Sequence, residues 1–101
     1  MAAIKSKLIT KSGKITEEDG KFHGFLIGTD GTNDPTVTFY DNANPVQGTE
    51  LIPTTTYDAS ALGLNGVTLP DPGVPFHDGL YCGISLAAGT IEVTVFYSEG
   101  I

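Results

Sequence analysis

Apolar positions recur along the chain in short runs of period two, separated by turns rich in Gly, Asn and Asp. The clearest alternation is Thr36–Asp41 (TVTFYD), with Val37 and Phe39 on one side and Thr36, Thr38 and Tyr40 on the other. Thr90–Tyr97 (TIEVTVFY) sets Ile91, Val93, Val95 and Tyr97 against Glu92 and Thr94, and Gly79–Leu86 (GLYCGISL) aligns Leu80, Cys82, Ile84 and Leu86. The short Ala87-Ala88-Gly89 connection predicts that these two segments form a C-terminal hairpin. Lys21–Gly28 (KFHGFLIG) is apolar on both parities, Phe22 and Leu26 against Phe25 and Ile27. That pattern suits a strand covered on both sides or one at a subunit contact. Ile4–Thr10 reads as an edge strand or arm, and Glu50–Tyr57 as an edge or bulged strand because Pro53 lacks a ladder donor. Tyr57–Leu64, with Asp58 as a candidate N-cap, is the one helical candidate and amounts to a turn or a single helical turn. Glu17–Gly20, Thr29–Pro35, Asn42–Pro45 and Asn65-Gly66 are the predicted turns, and Pro70–Pro75 a stiff loop.

These elements predict an all-β fold, an antiparallel β-sandwich of jelly-roll type. Residues 1–20 form an N-terminal arm or edge strand and residues 21–101 the sandwich domain. The expected core is Phe22, Leu26, Val37, Phe39, Leu51, Leu80, Cys82, Ile84, Ile91, Val93 and Val95. Thirteen glycines and six prolines among 101 residues leave little room for long helices. With 40% hydrophobic and only 17% charged residues, the chain is too apolar for a disordered segment. A single cysteine excludes an intrachain disulfide framework. No apolar run approaches a membrane span, and the N-terminus lacks the apolar stretch of a signal peptide, so secretion by that route is not expected.

Charge is segregated. All five basic residues, Lys5, Lys7, Lys11, Lys14 and Lys21, fall within the first 21 positions, and there is no arginine. Residues 22–101 carry nine carboxylates and no base, within a total net charge of −7. An acidic body without Arg argues against a nucleic-acid partner, and the same sign argues against anionic membranes. A lysine-bearing segment on an acidic body could meet an acidic neighbour, another copy of the chain included. The plainer account is a solvated first strand whose lysines discourage edge-to-edge pairing.

Candidate chemistry is sparse. His23, His77 and Cys82 are the residue types of a three-ligand metal set, but no CxxC, HxxxH or HxH spacing supports one. Cys82 with His77 as base would make a nucleophile, yet its parity with Leu80 and Ile84 marks a small core residue. Asp30-Gly31-Thr32-Asn33-Asp34 resembles a calcium loop in composition alone, and tight turns select the same residues for backbone reasons. There is no nucleotide loop, GxSxG elbow or HExxH motif, so no catalytic residue, metal or cofactor is assigned and the chain is not expected to be an enzyme. Tyr40, Tyr57, Tyr81 and Tyr97, with Phe25 and Phe96, are candidates for an outward aromatic set at an interface or against sugars. Lys5, Lys7, Lys11, Lys14, Phe25 and Phe96 are therefore the candidate partner-binding residues.

Gly73–Tyr97 (GVPFHDGLYCGISLAAGTIEVTVFY), with its Gly-x-Pro-Phe loop, Gly-Leu-Tyr strand and terminal Val/Tyr-rich strand, resembles small β-sandwich virion proteins of tailed bacteriophages. Phe22-His23-Gly24 opening one strand, and the Tyr40-Asp41 pair closing another before Asn42, are similar too, so the likeness spans residues 21–97. The resemblance implies a non-enzymatic structural protein located in the virion and assembled in the host cytoplasm. Its expected role is capsid decoration (cement), bound to the outer head shell. Its partners would then be the major capsid protein or other virion proteins, with self-association into a homo-oligomer. A head–tail connector, a tail component and a carbohydrate-binding module of a tail fibre are the alternatives. As an arm, residues 1–14 are expected to be removable without loss of the fold.

Overall fold

A computed structural model describes residues 3–42, 49–60, 65–70 and 72–100. Nine strands account for its regular structure: β1 (Lys5–Ile9), β2 (Gly13–Thr16), β3 (Gly20–Thr29), β4 (Thr36–Asp41), β5 (Thr49–Thr56), β6 (Asn65–Thr68), β7 (Val74–Phe76), β8 (Leu80–Ser85) and β9 (Ile91–Glu99). One sheet has the order β1-β9-β3-β6, with β7 also paired to β3; the other has the order β2-β8-β4-β5. Every pairing is antiparallel. Apart from the three-residue β7, the eight strands thus wrap in four antiparallel pairs (β1 with β9, β2 with β8, β3 with β6, β4 with β5) around one core, as in a jelly roll. The chain is an antiparallel β-sandwich, as the alternating pattern predicts.

The core lies between the sheets. Phe22, Phe25 and Phe39 are fully enclosed, and the Phe39 ring centroid lies 4.7 Å from each of the other two. Ile27, Pro35, Val37, Phe76, Leu80, Cys82, Val93 and Val95 belong to the same deeply buried set. Of the expected core, Leu51 and Ile84 are only partly buried and pack against this cluster from its margin.

Leu26 is a correction: it is 38% exposed, while Phe25 and Ile27 are buried. The cause is a bulge. Along β3 the register with β9 shifts between Phe22 and Gly24, so His23 is an extra residue and parity reverses after it. Phe22, Phe25 and Ile27 consequently all point inward. Gly24 has φ 138°, and a Cβ there would collide with the Val67 carbonyl oxygen, so glycine is required at this position. A strand apolar on both parities is here one-sided with a parity switch.

The C-terminal hairpin is also corrected. β8 and β9 lie in different sheets, and residues 86–90 cross from one to the other. Two strands with one apolar face each can face each other across a core as well as lie side by side, and the alternation is the same in both cases. Asn65-Gly66 opens β6, paired with Ile27 and Leu26, rather than forming a turn. No helix occurs among the described residues; Ala59 and Ser60 form a turn, and residues 61–64 of the helical candidate lie outside them, as do residues 43–45 of the turn predicted at Asn42–Pro45. The loop read at Pro70–Pro75 contains the start of β7, and Phe76 after it is a fully buried core residue.

Candidate functional site

The N-terminal segment forms the edge of both sheets on one side of the sandwich. β1 pairs with β9 from Lys5↔Tyr97 to Ile9↔Val93, and β2 pairs with β8 from Gly13↔Cys82. Residues 10–12 carry the chain from one sheet to the other. Four of the five lysines therefore gather along this side. A removable arm is not what the structure shows: deleting residues 1–14 would take all of β1 and the first half of β2.

The lysines are unequally engaged. Lys5 Nζ lies 2.5 Å from Glu99 Oε1, and the Thr16 hydroxyl donates to Glu99 Oε2 at 2.7 Å, which ties β1, β2 and β9 together. The Lys5 ammonium and this hydroxyl hold the Glu99 carboxyl below its ordinary value, and the same carboxylate raises Lys5. Lys14 pairs with Glu17 at 2.8 Å and lowers its carboxyl. Among the described residues Lys7 Nζ donates only to the Lys14 carbonyl, at 3.1 Å. Lys7 and Lys11 are exposed, and neither makes an ion pair among the described residues. The cationic character of this edge resides in those two.

Two devices hold the surrounding turns. The Ser12 hydroxyl donates to the Ile84 carbonyl at 3.0 Å and accepts from the Ile84 amide at 2.7 Å, continuing the β2–β8 ladder with a side chain. The Asp30 carboxylate accepts from the amides of Thr32, Asn33 and Thr90, and from Asn33 Nδ2 at 2.9 Å. These donors hold Asp30 far below the usual carboxylate range and brace the β3–β4 loop against the β8–β9 crossing. The acidic turn is therefore a closed hydrogen-bonded knot. Between the β1–β2 turn and that crossing lies an open cleft of about 920 Å³, bordered by Lys11, Ser12, Ile84, Leu86 and Glu92.

His23, His77 and Cys82 are not brought together. Cys82 faces the core from β8, and burial pushes its thiol up to about 12, the opposite of an activated nucleophile. His23 sits at the bulge and shares a 3.0 Å hydrogen bond with the Ser98 hydroxyl. His77 lies in the β7–β8 turn, where its amide and that of Asp78 both donate to Asp41. No group of three or more His, Cys, Asp or Glu suited to a metal ion occurs among the described residues.

The aromatic candidates separate as well. Phe25 is fully enclosed and offers no surface, Tyr97 is 8% exposed in the core, and Tyr57 stands edge-on to Phe25. Tyr40 and Tyr81 form a tilted pair with ring centroids 6.4 Å apart, on neighbouring strands β4 and β8. Phe96 is half-buried on the side of β9 opposite Val93 and Val95. The features that sequence reasoning missed are Ser12 and the cleft, since a serine that stands in for backbone has no periodic signature. Comparison with family models, with curated proteins and with solved structures returned no match to this chain.

Proposed function

We propose that this chain is a non-enzymatic structural protein of a virion, of the capsid-decoration kind, attached to an acidic partner surface through the edge formed by β1 and β2. The observation that carries the attachment is the pair Lys7 and Lys11, exposed and without carboxylate partners among the described residues, on one side of a chain of net charge −7. The virion setting is supported by the likeness of residues 21–97 to small phage virion proteins. The jelly roll is compatible with it, being a fold of viral capsid domains as well as of lectins and cupins, and so does not choose among them.

The test has two arms. Quantitative peptide mass spectrometry of purified virions should find this chain at a copy number comparable to the major capsid protein; absence from the particles sinks the virion setting. Lys7→Glu/Lys11→Glu should then abolish incorporation while circular dichroism and the thermal midpoint stay unchanged. Normal incorporation of that variant would remove this edge as the attachment site.

A further inference from the structure

The outer face of the β1-β9-β3-β6 sheet is nearly free of charge. Residues paired directly across strands share a face, so the register defines its rows. One row runs Leu8, Thr94, Leu26, Gly66, and the next runs Ser6, Phe96, Gly24, Thr68. Leu8 and Leu26 are 57% and 38% exposed, and the glycines leave the surface flat beside them. Charge returns only beyond these rows: Lys21, paired with Ser98, at one end, and Glu92, paired with Gly28, at the other. Glu92 also borders the cleft that Lys11 borders, but the two make no ion pair.

We infer that this face binds a second copy of the chain, back to back, about a twofold axis running across the strands at the level of Val95. Val95 is midway between Ser98 and Glu92 along β9, so that axis lays the Lys21 end of one copy on the Glu92 end of the other, twice. It also lays Phe96 of each copy over the Thr94–Leu26 row of its partner. Elsewhere two copies of net charge −7 repel; here the apolar rows meet and the ends attract. Four strands about 4.8 Å apart and six residues of about 3.4 Å give a flat area of roughly 400 Å² per copy, half the ~800 Å² of a standard interface. The pairing is therefore weak, and it fills when copies are concentrated. It uses residues separate from Lys7 and Lys11, so it stands or falls independently of the attachment edge.

Sedimentation velocity on the full chain should show a monomer–dimer equilibrium developing between about 10 µM and 1 mM. Leu26→Asp should abolish it, with circular dichroism confirming the fold. Lys21→Glu and Glu92→Lys should each weaken dimerisation about tenfold, and the double exchange should restore it to within about threefold of the native chain. A monomer throughout that range overturns the inference. So does a dimer that ignores Leu26→Asp, or single exchanges that the double one does not rescue; if Leu26→Asp fails to fold, the exchange series decides alone.

Discussion

In β9, Ile91, Val93, Val95 and Tyr97 all face the core and are buried, whereas in β1, which runs beside it, only Ile9 is even half-buried. β1 and β2 are fastened by ladder hydrogen bonds to β9 and β8, by the Lys5–Glu99–Thr16 link, and by one buried apolar side chain, Ile15. The same secondary structure is thus maintained in two ways. One is area removed from water, at roughly 25 cal/mol per Å². The other is polar pairing at a wet edge, where each link contributes little. That difference leaves Lys7 and Lys11 exposed along the edge while the core fixes the fold.

Val93→Asp tests the stronger side. Val93 is fully enclosed between the sheets, so the substitution buries a carboxylate with no partner. Loss of the cooperative thermal transition is expected. A folded, soluble variant would show that β9 does not need its inward face.

The face of β9 was legible in the sequence because its period-two pattern is uninterrupted from Ile91 to Tyr97. β3 was not, because one extra residue at His23 reverses the parity, and a bulge leaves only Gly24 as its trace. The partnership of β8 was misread for a different reason: alternation reports that a strand has one apolar face, not which sheet holds it. Clustering of the lysines on one side could be read from their positions. Their unequal pairing could not, since Glu99 and Lys5 lie 94 residues apart in the chain and meet only through the β1–β9 ladder.

Ile15→Ala probes the most deeply buried apolar anchor of the edge. Ile15 is 4% exposed at the margin of the core, and its truncation should cost about 2 kcal/mol, the low end for a buried Ile, because the edge can settle into part of the space. Urea denaturation would show this as a lower midpoint with an unchanged slope. A cost comparable to that of truncating Phe25 would mean that the edge is as much core as β3, and the contrast between the regions would disappear.

The smallest expected effect belongs to the Lys5–Glu99 pair, and its pH dependence isolates it. Both side chains are partly exposed, so solvent screens the pair and its contribution is modest. Glu99 is lowered, first by the hydrogen bond from Lys5 and then by that from Thr16. A carboxyl lowered by folding contributes stability that is fully present above its unfolded value, about 4.3 for Glu, and is lost as pH falls through the lower folded value. Lys5, raised by the same partner, contributes below its ordinary value and loses that contribution in strong alkali. Glu99→Gln keeps an acceptor for the Thr16 hydroxyl but removes the charge. The native chain should therefore melt slightly above the variant at neutral pH, and the gap should close as the acid passes below pH 4. Other lowered carboxyls, Glu17, Asp30 and Asp58, are common to both proteins and cancel in the difference. A gap that persists unchanged into acid would mean that Glu99 fastens the edge by its shape and hydrogen bonds and not by its charge, and the ionic half of the contrast with the core would have to be given up.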